Sequence, residues 1–465
     1  MIRTELWGDV AGKYGIDTRN LKTSAFNVTS PATSPATWRV SPAFRSFLAF
    51  VTALALAAVG FVIPAQLALA NTVVDSDWAT TGAKPRGIAI DSSGNLFVTN
   101  YDDGTVTKIA SDGTTTTPWA SVGSNPWGIV VDSSDNVYVA NYGSASQSIT
   151  KITPAGSAST WATFTTRVAF LAIDSSNTVY ASDGTNGEIH KITSDGTVTE
   201  TWAQIAGSYP MPMALEFGPS GDLFVVNANT DTNGGQSIAM ISPSGTVTDN
   251  WVSFPNSQPY WGIAIDSSGT VYTADMNGST RGISKITSAG VLTEQWVAWD
   301  GTNVPLDVAV DSSGNVYSSW GPGAADGIVV KVTPDGTADT SWGTTQYFPT
   351  QMILDSSGNV YTTNLNSNSV TKIDPPDAQT ITFANPGDQE LPTGTVSLTA
   401  TADSGLTVAF ASSTTSVCTV SGTTLSLVAE GTCTITASQA GNSNYDAATN
   451  VERSFSVTAS SGGGG

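Results

Sequence analysis

GIAIDSSGNLFVTNYDDGTVTKIASDGTTTTPWASV, residues 87–122, contains four pieces of strand length separated by turns. GIAID, LFVTN, TVTKI and TTTPWASV are rich in β-branched and aromatic residues and are bounded by Gly, Asn, Asp or Ser. In the Asp-Ser-Ser-Gly-Asn turn, Asp can bond its own downstream backbone and Gly accepts positive φ, which suits a hairpin. The opening phrase recurs as GIVVDSSDN (128–136), LAIDSSN (171–177), LEFGPSGD (215–222), GIAIDSSGT (262–270), DVAVDSSGN (307–315) and MILDSSGN (352–359). Its turn-opening residues are Asp91, Asp132, Asp174, Gly218, Asp266, Asp311 and Asp355, spaced by 41, 42, 44, 48, 45 and 44 residues. A period near 45 with about four short strands per unit predicts the blades of a β-propeller.

A tryptophan column marks the fourth strand at Trp78, Trp119, Trp161, Trp202, Trp251, Trp296 and Trp342. Recurrence at blade spacing assigns these rings to packing between neighbouring blades rather than to a ligand. The last unit ends at SVTKI (369–373), before its Trp-bearing strand, whereas Trp78 precedes the first GIAID. The segment Thr72–Thr80 therefore supplies the missing outer strand. The predicted fold is an all-β, seven-bladed propeller over residues 71–377, closed by its N-terminal strand, which leaves no open sheet edge.

Residues 1–70 form a signal peptide region with a long polar extension: Arg39 and Arg45 precede the apolar stretch Phe47–Ala70, which ends Ala68-Leu69-Ala70. Cleavage before Asn71 gives a secreted or surface protein of a bacterium, and an uncleaved membrane anchor is the alternative. The net charge of −21 argues against nucleic acid and anionic membrane as partners. After Pro375-Pro376 the repeat stops. Residues 378–458 read as about seven short alternating strands, QTITFA, VSLTATA, LTVAFASS, SVCTV, TLSLVA, CTITASQ and RSFSVTA, which predicts a β-sandwich. In an exported chain Cys418 and Cys433 pair with each other. Residues 459–465 form a Gly-rich linker or a truncated tail.

Chemistry falls to the face that carries the second-to-third-strand loops and the blade-to-blade connections. Arg86, Trp127, Met213, Trp261 and Leu306 recur there at equivalent positions beside the channel, with Tyr209 and Tyr260 close by. Arg86, Trp127, Tyr209, Tyr260, Trp261 and Asp307 are the candidate ligand-binding set; the alternative is that such residues plug the hub of the ring. Asn100, Asn141, Asp183, Asn227, Asp275, Trp320 and Asn364 close the second strands, either as local caps or as an oxygen-rich ring for Ca²⁺ or Mg²⁺. Glu216 replaces the Ala of Ala89, Ala172 and Ala264 on an innermost strand, so Glu216 joins Asn100, Asn141, Asp183, Asn227 and Asp275 as the candidate metal set. Asp307 stands where three blades have Gly. The one histidine, His190, is in ordinary third-strand register with Thr107, Thr150 and Thr371 and is read as structural.

The repeat PxGIAIDSSGNLFVTNYDDGTVTKI resembles the NHL-type propeller repeat, and the whole array resembles the virginiamycin B (streptogramin) lyase group. That resemblance implies elimination of a cyclic ester by a His and acidic residues with Mg²⁺. His190 lies in a central blade strand, so those catalytic residues are not carried over. Related gluconolactonase-like propellers imply a cation at the channel mouth, which Glu216 and the Asn/Asp ring match by residue type. The segments QTITFANPGDQ, SGLTVAFASS, VCTVSGTTLSLVAEGTCTITASQAGN and SFSV resemble a bacterial immunoglobulin-like domain, which implies a spacer or adhesion role. The expectation is a monomeric, non-catalytic surface propeller that binds cell-wall glycan, a surface protein or a small extracellular ligand. The alternative is a metal-dependent lyase or lactonase.

Overall fold

A computed structural model describes residues 73–459, except 144–146, 185, 208–209, 229–235, 257–258, 277–280, 300–302, 322–325, 392–394 and 443–444. The apolar segment 47–70, Tyr209 and the Gly-rich tail lie outside the described residues, as does much of the long loops 227–236 and 274–282.

Each repeat folds as one antiparallel four-stranded sheet, and seven such sheets run from Val73 to Asp374. In blade 1 the strands are Pro85–Ile90, Leu96–Asn100, Thr105–Ile109 and Thr115–Ser121, from the channel outward. The innermost strand of each blade touches that of the next, and Pro349–Leu354 of blade 7 touches Pro85–Ile90 of blade 1, so the ring is closed. Val73–Thr80 pairs with Ser369–Asp374 as the outermost strand of blade 7, as the tryptophan spacing predicts.

Each aspartate turn is a small hydrogen-bonded unit. In blade 2 the Asp132 carboxylate accepts the N–H groups of Ser134 and Asn136 and the phenol of Tyr138. The phenol-to-carboxylate bond recurs at Tyr180–Asp174, Tyr272–Asp266, Tyr317–Asp311 and Tyr361–Asp355. Blade 4 has neither partner: Gly218 opens the turn, Phe224 takes the tyrosine position, and the backbone turn is kept.

The tryptophans pack both within and between blades. Trp119 lies 4.8 Å from Phe97 of its own blade, and Trp161 lies 4.5 Å from Tyr138. The other edge of Trp119 meets the following blade's turn, where a Cβ on Gly156 would stand 3.1 Å from the indole nitrogen. Most of the column is half-buried; Trp342 alone is buried. The reason is geometric: outermost strands reach the rim, where one ring edge stays wet.

The C-terminal module is all-β, with a core that includes Phe383, Leu398, Leu425, Ile435, Phe455 and Val457. It has more and shorter strands than the sequence predicts. The stretch VSLTATA divides into Val396–Ser397 and Ala400–Ala402, which pair in different sheets, with buried Leu398 at the crossing. Cys418 and Cys433 are joined in a disulfide, as expected. It links the three-stranded sheet containing Cys418–Ser421 to the four-stranded sheet containing Gly431–Ser438.

Candidate functional site

Seven innermost strands line the channel, and at its loop-bearing end large side chains fill it. The Arg86 guanidinium lies 4.0 Å from the centre of the Trp127 ring and 4.5 Å from that of Tyr101. Tyr142 and Phe170 pack at 5.4 and 5.7 Å from Trp127, and Arg167 lies 5.4 Å from the Tyr142 ring. Only about 20 Å³ remains between Arg86, Trp127, Phe170, Trp261, Thr350 and Gln351. Burial lowers the pKa of the Arg86 guanidinium from its ordinary value, partly offset by Tyr101 and Asp102, and the group remains cationic. Arg86, Trp127 and Trp261 are half-buried, whereas Met213 and Leu306 are buried. The structure thus joins three of the six expected ligand-binding residues into one plug. The Tyr260 side chain lies outside the described set. Tyr101 and Tyr142 were missed, although each directly follows the Asn that closes a second strand, so repeat spacing carried the signal.

Beyond the plug the channel widens to a cavity of about 430 Å³. It runs from Phe170, Trp261 and Gln351 to Ile265, Val310 and Leu354, the last residues before three aspartate turns. Glu216 and Asp307 are its titratable side chains. Glu216 is open to the cavity yet enclosed by apolar walls, and this desolvation pushes its carboxyl up to about 7. Asp307 belongs here rather than at the mouth. Its two oxygens accept the N–H groups of Val308, at 3.0 Å, and of Met352 in blade 7, at 2.8 Å. Burial pushes its carboxyl up to about 7 against those two bonds, and the charge of Glu216 adds to the rise.

The six residues of the expected metal set do not come together. Asn100, Asn141, Asp183, Asn227 and Asp275 are buried within their blades, and none lines the cavity that Glu216 lines. Asn100 accepts the Gly82 N–H and donates to Thr105 and Thr107; Asn141 does the same with Gly123, Ser148 and Thr150. Asn227 accepts the Met211 N–H, and Asp275 accepts the Ser284 and Thr273 hydroxyls. The physical reason is direction. These residues end the second strand, one strand away from the channel, and turn along their own sheet to tie down the entering loop. Asn100, Asn141, Asn227 and Asp275 thus spend their polar atoms on bonds inside their own blades, and the five residues share no channel site with Glu216.

Asp183, Glu188 and His190 do offer ligand atoms within 4.8 Å of one another. A β-bulge at Thr201, where φ is 51°, frees the Thr201 N–H, which donates to His190 Nδ1 at 3.1 Å. Nδ1 is therefore the unprotonated nitrogen, and Nε2 carries the hydrogen beside Thr166 Oγ1 at 3.3 Å. Neither nitrogen presents a free lone pair to a metal ion. Blade 5 makes the same contact with a hydroxyl, from the Gln295 N–H to Ser284. The triad is thus a variant of the blade's own polar tie, and His190 is structural in its geometry.

Among solved structures, a streptogramin B lyase is 16% identical with a TM-score of 0.53, over 66% of this chain and 99% of that one. An inactivated virginiamycin B lyase from Staphylococcus aureus, with quinupristin, is 17% identical with a TM-score of 0.53, over 65% of this chain and 98% of that one. Hydrazine synthase from Kuenenia stuttgartiensis also gives 0.53, at 17% identity, over 63% and 95%. At such identities the likeness is one of fold, and a fold carries many functions. No curated protein matches the chain by sequence. The Virginiamycin B lyase family model matches residues 71–340, more than half of the chain. The chain belongs to the virginiamycin B lyase family.

Proposed function

We propose that this is an exported, monomeric, non-catalytic propeller of the bacterial cell surface that binds its ligand at the plugged channel mouth. The ligand is a cell-wall glycan, a surface protein or a small extracellular molecule, and the C-terminal module is an immunoglobulin-like spacer. The observation that carries the reading is the half-exposed stack of Arg86 on Trp127. Among the described residues no carboxylate forms an ion pair with Arg86 or Arg167, although the chain is strongly acidic. Guanidinium and aromatic faces side by side suit a partner with both acceptors and C–H faces. Binding of purified cell-wall glycan or surface extract by wild type, Arg86→Ala, Trp127→Ala and Trp261→Ala tests it. Retention should fall at least tenfold in the variants while their unfolding temperature is held; unchanged retention refutes the site.

Family membership favours a second reading, a lyase or lactonase. The lyases of the resemblance use a divalent ion. The residues present here do not fit one, because the Asn/Asp ring is committed to its blades and His190 to Thr201. Incubation with a cyclic ester such as quinupristin, with and without Mg²⁺, tests this reading: ring opening by the purified chain establishes it and overturns the non-catalytic one.

A further inference from the structure

The cavity behind the plug has a chemistry of its own. Its walls include Leu171, Leu215, Ile263, Val308 and Ile353, all apolar, and no Lys, Arg or His lines it. Within this lining stand Glu216 and Asp307, and the charge of Glu216 reaches Asp307. The channel positions equivalent to Glu216 in the other blades are Ala89, Val130, Ala172, Ala264, Ala309 and Ile353, so the glutamate departs from an otherwise apolar layer. Asp307 has an evident structural use, since it ties blade 6 to blade 7 through the Met352 N–H. Glu216 has no such use. A cavity of about 430 Å³ falls within the range of small-molecule sites. A calcium ion needs six to eight oxygen ligands, and of the side chains lining the cavity Glu216, Asp307 and Gln351 offer oxygen. A desolvated carboxylate pair in an apolar shaft instead complements one positive charge on an apolar body.

We propose that the shaft binds an amphiphilic organic cation, an ammonium group held by Glu216 and Asp307 with its hydrocarbon body against the Ile, Leu and Val walls. This site lies behind the plug and meets the proposed mouth site at Trp261. Calorimetric titration of the whole protein at pH 8 with n-octylammonium, 1-octanol, octanoate and CaCl₂ tests it. Octylammonium should saturate one site and raise the unfolding temperature. Glu216→Gln should weaken it at least tenfold, while Trp127→Ala leaves it unchanged. Glu216→Ala, which restores the residue of four other blades, serves as the second variant. Absence of octylammonium saturation up to millimolar concentration overturns the proposal. So does octanol binding as tightly, or octylammonium binding insensitive to both Glu216 variants. Calcium binding that Glu216→Gln abolishes would make the site metallic and overturn it too, and loss in Trp127→Ala would move the ligand to the mouth.

Discussion

Removing Asp132 and Tyr138 together should cost less than the sum of removing each, because blade 4 already carries that pair of changes as Gly218 and Phe224. Asp132 is 8% exposed and Tyr138 1% exposed, and their bond is 2.9 Å long. A hydrogen bond to a charged acceptor contributes about 1.5–3 kcal/mol, and an orphaned buried hydroxyl costs about 1–3 kcal/mol. Asp132→Gly alone loses the turn bonds from Ser134 and Asn136 and strands the phenol, so about 3–4 kcal/mol is expected. Once the phenol is gone, the second loss is no longer counted, and a coupling of about 1–2 kcal/mol follows. In blade 4 a Cβ on Gly218 would stand 2.8 Å from the Phe224 ring, so the phenyl already occupies the vacated space. Denaturant unfolding of the wild type, both single variants and the double variant closes the cycle. Additivity within about 0.5 kcal/mol would refute the claim that carboxylate and phenol act as one unit. Acid supplies a second check. Burial works to raise the Asp132 carboxyl, but the bonds from Asn136, Ser134 and Tyr138 prevail and hold it below the usual range. Its stabilisation is therefore full above the unfolded value near 4 and is lost as pH falls through the lower folded value. The double variant should be less sensitive to acid than wild type.

Glu216→Ala should flatten the pH profile of stability. The native carboxyl, raised to about 7, is stabilising below the unfolded value near 4 and loses that contribution as pH rises towards 7, by at most ~1.4 kcal/mol per pH unit. Unfolding curves at pH 5 and 8 that keep the wild-type difference would contradict this. His190 acts in the opposite sense. Burial lowers its affinity for a proton, so its contribution is full above about pH 6.5 and fades as pH falls below that value. His190→Thr, the residue found at that register in three other blades, should remove this loss between pH 6.5 and 5, read by thermal unfolding. Gly156→Ala should destabilise the blade 1–blade 2 boundary by about 1–3 kcal/mol, because it combines positive φ with a contact 3.1 Å from Trp119. Wild-type stability in that variant would show that the indole can move aside. Reducing the Cys418–Cys433 disulfide, which spans 15 residues, should cost the C-terminal module about 3 kcal/mol, measured by unfolding with and without reductant.

The blade count, the strand order and the closing strand were legible because a repeat reports the same physics seven times. GIAID, the Asp-Ser-Ser-Gly turn and the tryptophan each recur where one position in a four-stranded sheet demands them. Direction was harder to read. Asn100 and its counterparts recur just as regularly, yet the sequence does not state whether a strand-ending side chain turns towards the channel or along its own sheet. Their partners, Thr107 and Thr150, lie on the neighbouring strand at an offset that only the register supplies. Glu216 and Asp307 were visible as departures from the repeat. Their grouping across blades 4 and 6 was not, because a ring brings together residues 91 positions apart. The plug was half visible: Arg86, Trp127 and Trp261 stood in one column, whereas Tyr101 and Tyr142 form a second column, one residue past Asn100 and Asn141, that went unread.

The strand Val73–Thr80 also sets a clock. Its partner, Ser369–Asp374, lies about 290 residues further along the chain. At synthesis rates of about 5–20 residues per second, the first strand waits roughly 15–60 s for its mate. During that interval six blades can stack in order of appearance, but the circle cannot shut. Closure of the ring thus requires the propeller's two ends to meet. A chain cut short in its last blade would leave Val73–Thr80 without the partner it is built to join, and the edge that the closed ring abolishes would be exposed.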